Sequence, residues 1–164
     1  MKQTTTNLED IQQFARTFDV QPVWKEGLTI DPAVLELRAE LIKEEVAREL
    51  FPALQRFASS QSLENLTEVA DALVDSVYVI LGCVVAMDLP WQELWDEVQR
   101  SNMAKVHADG SVRRREDGKI LKPEGWVPPD LFKIIMRWYT ERCIKDNMEL
   151  SIQHRVSDIR TGQA

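Results

Sequence analysis

The sequence predicts an all-α protein, a bundle of four to five helices, and three observations carry that prediction. Apolar residues recur at three- and four-residue spacings through most of the chain, no segment alternates apolar and polar residues over a useful length, and proline, glycine and small polar residues cluster between the periodic stretches. At 164 residues, 44% apolar and 29% charged, the chain is long enough for one packed domain. We read residues 1–164 as that domain, with a C-terminal helical extension over 129–164.

Asn7 or Thr6 caps a short first helix that runs to about Phe18, and Gln21-Pro22 breaks the chain, because the residue before proline is pushed out of helical geometry. A loop with Trp24, Gly27 and Thr29 follows. Asp31-Pro32 places a capping side chain before a proline at the first helical position, and a helix then runs uninterrupted to Leu50. Pro52 kinks or restarts it. Ser59 to Ser62 form a turn, after which Glu64 suits the N-terminus of a long helix reaching Met87. Asp88-Leu89-Pro90 ends that helix, and Leu94, Trp95, Val98 and Met103 mark another from Pro90 to about Val106. Residues 107–128, rich in glycine, proline and charge, form a loop. Leu131, Ile134, Ile135 and Trp138 make one stripe of a final amphipathic helix from Leu131 to about Leu150.

Composition narrows the function. Two widely spaced cysteines, Cys83 and Cys143, fit neither a disulfide scaffold nor a paired-cysteine zinc site. The longest apolar run, Val77 to Met87, is about half the roughly 20 residues of a membrane helix, and Met1 to Asp10 is polar, so a cytoplasmic protein without membrane contact is expected. Lys+Arg 20 against Asp+Glu 27, a net charge of −7, argues against nucleic acid as partner. A phosphate substrate on so acidic a chain needs a cation.

The acids fall on helix faces. Taking about 100° per residue, Val34, Leu37, Leu41, Ile42, Val46 and Leu50 share one broad face with Glu45 and Glu49 near its middle. Carboxylates on a buried face must be paired or metal-bound. Arg38, on the same face, offers the plain alternative of an internal ion pair with Glu45. On the following long helix Glu64, Glu68, Asp71 and Asp75 form one stripe within an arc of about 60°. A merely solvated acidic face, in a non-catalytic helical interaction protein, is the plain alternative here, because Leu66, Leu73, Val77 and Val84 lie opposite. Against it, the stripe holds no lysine or arginine and continues into Tyr78, Val79 and Gly82. Carboxylates stacked on two neighbouring helices suit a site for Mg²⁺ or Mn²⁺. A di-iron bundle is set aside, because His107 and His154 stand far from these acids in the chain.

Four pieces in order, Leu37-Arg38-x-x-Leu41-Ile42-x-Glu44-Glu45, Glu68-x-x-Asp71 with Asp75-x-x-Tyr78 and Gly82, Glu97 to Lys105, and Asp117-Gly118-Lys119-x-Leu121-Lys122-Pro123, make the chain resemble the all-α NTP pyrophosphohydrolases. These include MazG, the dimeric dUTPases, dCTP pyrophosphatase and phosphoribosyl-ATP pyrophosphohydrolase. The resemblance covers most of residues 10–132, and its tail is most similar to bacterial and phage MazG-like or dUTPase-like members. It implies a homodimer or homotetramer, Mg²⁺ on the carboxylates, and cleavage of a nucleoside triphosphate between the α and β phosphates.

In the family pattern a third glutamate stands where this chain has Arg48, and Glu49 is expected to replace it. Asp71 matches the family aspartate literally, while alignment on Tyr78 and Gly82 selects Asp75. The expected metal ligands are therefore Glu45, Glu49, Glu68, Asp71 and Asp75, with Glu45 or Asp71 orienting the attacking water. Asn102 and Lys105, three residues apart on one helix face, are expected to donate to phosphate oxygens, with Lys119 and Lys122 closing over the phosphate tail. Trp24, Phe14 and Phe18 are the candidates to stack on the base.

Overall fold

A computed structural model describes residues 6–20 and 30–161, the side chains of 147–161 excepted. Helices dominate the described residues, and strand pairing is confined to isolated bridges such as that between Arg114 and Ile120. The all-α expectation holds. Where the sequence reading takes one domain with an extension, the chain packs as two compact units, Met1–Leu89 and Pro90–Ala164.

The first unit holds α1 (Asn7–Thr17), α2 (Pro32–Ile42), a π-helix (Lys43–Leu50), α3 (Phe51–Ser59) and α4 (Leu63–Ala86). Each start has a chemical cause. Thr6 and Glu9 form a reciprocal capping box on α1; the Asp31 carboxylate accepts the Ala33 N–H at 3.0 Å ahead of Pro32; and the Ser62 hydroxyl accepts the Asn65 N–H at 3.2 Å. α4 is the hub, with α1, α2, the π-helix and α3 all packed against it. Ala53, Val69 and Ala72 form its buried seam with Leu50 and Phe57.

The uninterrupted helix expected from Pro32 to Leu50 is instead α-helical only to Ile42 and then widens, with the Phe51 N–H bonded five residues back to the Val46 carbonyl. Pro52 supplies a reason. In an α-helix its ring collides with the carbonyl four residues earlier, at Arg48, and a wider turn carries that carbonyl away. The widening breaks the 100° step beyond Ile42, and Leu37, placed on the inward face by the sequence but lying in the regular α2, is 56% exposed. Pro52 does restart a helix, α3.

By length and composition α4 is apolar enough to cross a membrane, with mean hydropathy 2.0 over its most apolar window, which the shorter run seen in the sequence does not reveal. Asp71 and Asp75 sit within the helix and four elements pack on it, so it reads as the central helix of a bundle. Its core line is Val69, Ala72 and Ser76, whereas Leu66, Leu73 and Val77, expected to face the core, lie on a face left exposed together with Leu63 and Val74.

The second unit pairs α5 (Trp91–Met103) with α6 (Leu131–Thr161). α6 runs eleven residues beyond the expected end at Leu150, because neither proline nor glycine occurs between Asp130 and Gly162. Glu97, partly buried, chelates Arg100 at 2.7 Å and accepts the Asp130 N–H at 2.9 Å, tying the start of α6 to α5. The Arg100 guanidinium and that backbone N–H hold its carboxyl down at about 2. Arg137 closes the same junction on Glu93. The intervening loop is tethered by Trp126, whose indole N–H donates to the Ser101 carbonyl at 2.8 Å.

Candidate active site

The π-helix and α4 carry the acids in the first unit and pack against each other. Glu45 lies at the centre of the arrangement. Burial pushes its carboxyl above the usual range, and the charges of Asp75, Glu44, Glu49 and Asp71 push it the same way. Glu44 and Glu49 act on Glu45 from its own element and Asp71 and Asp75 from α4, although the sequence left the choice between the two aspartates open. The internal Arg38–Glu45 ion pair is not formed among the described residues.

Residues 48 and 49, where the chain departs from the family pattern, lie in the π-helix. Glu49 stands four residues from Glu45, and its charge is one of those that act on Glu45. Arg48 turns the other way and reaches Glu40 at 3.4 Å, beside Lys43 on the same carboxylate at 3.0 Å. Of the two roles open to Arg48, an ion pair with Glu44 or contact with a substrate phosphate, the first is corrected: its partner is Glu40.

Glu68 sits differently from the other acids. Its carboxylate accepts from the Arg56 Nε at 2.8 Å, each side chain about half exposed. The acidic stripe does carry a counter-charge, but from α3 across the turn, where spacing along one helix cannot show it.

The residues expected on the phosphates lie in the second unit. Lys105 Nζ donates to the Asn102 side-chain oxygen at 2.7 Å, so the two are brought together. Lys119 follows a turn at residues 116–118, its backbone N–H donating to the Asp117 carboxylate at 3.1 Å, and the Lys122 ammonium lies 3.7 Å from the centroid of the Trp126 ring. Trp24 lies outside the described residues. Phe14 and Phe18 stack on one another with centroids 4.5 Å apart, and Phe14 meets Tyr78 edge-on.

Among the described residues, no three of histidine, cysteine, aspartate and glutamate already converge closely enough to hold an ion. The donor chemistry nonetheless fits a hard divalent cation. Its members are all carboxylates, drawn from two packed helices.

Comparison with known families places the chain among the nucleotide pyrophosphohydrolases of the all-α, MazG-like superfamily, in keeping with its all-α fold. More narrowly, the chain belongs to the phosphoribosyl-ATP pyrophosphohydrolase family, whose sequence model matches residues 11–102, from α1 into α5. No curated protein matches it.

Proposed function

We propose that this pyrophosphohydrolase acts on a nucleoside or deoxynucleoside triphosphate, releasing the monophosphate and pyrophosphate, with Mg²⁺ or Mn²⁺ held by Glu45, Glu49, Asp71 and Asp75. The observation that carries this reading is the crowding of like charge on Glu45 from two packed elements. A triphosphate brings roughly four more negative charges, which carboxylates repel unless a divalent ion stands between them. When bound, the ion neutralises that charge and polarises the phosphate. Glu45, whose carboxyl already favours its proton more than a free glutamate does, is the residue suited to orient the attacking water and accept its proton.

Arg56 makes the reading testable at Glu68. If Glu68 joins the ion, Arg56 competes with it, and removing Arg56 strengthens metal binding. Mn²⁺ titrated by calorimetry into wild-type protein is expected to bind and to raise the melting temperature with concentration. Arg56→Ala is expected to bind Mn²⁺ severalfold more tightly. Absence of binding in the wild type contradicts the metal site, and an unchanged affinity in Arg56→Ala removes Glu68 from it.

The exposed apolar face of α4 supports a homodimer or homotetramer. Leu63, Leu66, Leu73, Val74 and Val77 lie at helical spacings along it, and side chains of this size gain on the order of 2 kcal/mol each on full burial. Light scattering at micromolar concentration is expected to give at least twice the chain's 18.9 kDa. Asp substituted for both Leu73 and Val77 is expected to give the monomer mass, and a wild-type monomer mass contradicts the assembly.

A further inference from the structure

The acidic cluster accounts for the phosphate end of a substrate and leaves the other end unassigned. Between α1, α2 and α4 lies a cavity of about 170 Å³, walled by Phe14, Leu41, Tyr78, Val79 and Gly82, with Arg38 as its one charged lining residue. The Arg38 Nε is buried and has no hydrogen-bond partner. A guanidinium offers five donors and no acceptor, and a buried donor left unpaired is costly, so the site favours a ligand that brings an acceptor. A Cβ on Gly82 would meet the Arg38 Nη1 at 3.4 Å, so the bare glycine lets the guanidinium lie close along α4. Phe14 and Tyr78, their centroids 5.6 Å apart and their rings nearly perpendicular, give the cavity an aromatic wall.

Position links this cavity to the acids. Arg38 precedes Glu45 by seven residues and Gly82 follows Asp75 by seven, which at 1.5 Å per residue is about 10 Å, or two turns, along either element. We propose that the cavity seats the substrate's base, that Arg38 donates to a ring carbonyl of that base, and that the preferred base is a single-ring pyrimidine. This rests on the reading of the acidic cluster as the phosphate end.

Three features select that ligand. The volume is below the roughly 300–1,000 Å³ of pockets that enclose a whole drug-sized molecule, so it takes one small ring rather than a nucleotide. The wall is apolar and aromatic, which suits a base face and leaves a phosphate with a single cation and nothing else to bond. The donor-only arginine favours a carbonyl edge over the amino edge of adenine.

The test titrates free nucleosides without divalent metal, and inorganic pyrophosphate with Mg²⁺, by NMR into the full chain and into Arg38→Met, which keeps an apolar stem. Deoxyuridine, thymidine and deoxycytidine are expected to bind the wild type more tightly than deoxyadenosine. In Arg38→Met their affinity is expected to fall about 10- to 100-fold, the loss expected for one hydrogen bond to a charged donor. Pyrophosphate binding is expected not to change. Arg38→Met is expected to melt no lower than the wild type, because it removes a buried Nε–H that has no hydrogen-bond partner. If it melts lower, Arg38→Lys replaces it, keeping the charge without the planar fork, with the same loss of nucleoside expected. Unchanged pyrimidine affinity, a matching loss of pyrophosphate, or equal binding of deoxyadenosine overturns the proposal. Failure of the pyrophosphohydrolase reading shows separately, as nucleoside binding without hydrolysis of any triphosphate.

Discussion

Glu45→Gln is expected to lower the rate of hydrolysis by about a thousandfold or more, the scale on which enzymes lose a general base or a ligand of the catalytic ion, and to raise the melting temperature of the metal-free protein. The two effects have one origin. At neutral pH Glu45 is held among Asp75, Glu44, Glu49 and Asp71, so its charge works against the folded state. Glutamine keeps the shape and removes the repulsion together with the chemistry. A carboxylate serving structure alone behaves in the opposite way, losing stability and keeping the rate. Paired melting and rate measurements on wild type and Glu45→Gln distinguish these outcomes, and an unchanged rate removes Glu45 from the mechanism.

The second large effect is expected at Glu49. Glu49→Gln should cost about a hundredfold in activity, the upper range for a lost or misoriented group at a metal site, with weakened Mn²⁺ affinity. Arg48→Ala should leave both nearly unchanged. The adjoining residues differ because Glu49 acts on Glu45 and Arg48 reaches Glu40, where Lys43 already shares the carboxylate. An exposed pair of that kind contributes about 0–1 kcal/mol. Metal affinity and kinetics of the two variants side by side check this. A severe loss in Arg48→Ala with normal Glu49→Gln means that residue 48 faces the site.

What the sequence shows of this fold is local, and what it hides involves neighbours or a changed helical step. Thr6, Asp31 and Ser62 sit before helices because their side chains bond the backbone two or three residues on, a relation contained within the sequence itself. Glu45, Asp71 and Asp75 were legible as members of facing stripes for the same reason. The π-helix was not legible by periodicity, because an angular calculation assumes the step that Pro52 disturbs, and the exposure of Leu37 was hidden because it depends on which helices cover α2. Arg56 on Glu68 and the unpaired Arg38 Nε depend on how separate helices meet, which no spacing within one helix encodes. The length and apolar content of α4 showed in the sequence that it needs cover on more than one side, but which of its apolar residues stay exposed depends on how the helices meet.

Phosphorus NMR of the products is the most direct test of metal-dependent pyrophosphohydrolysis at the acidic cluster. Wild-type protein with Mg²⁺ and a panel of ribo- and deoxyribonucleoside triphosphates is expected to yield a nucleoside monophosphate and pyrophosphate in equal amounts, with no turnover in chelator. Orthophosphate and a diphosphate as the first products, or equal turnover after the metal is removed, would contradict it.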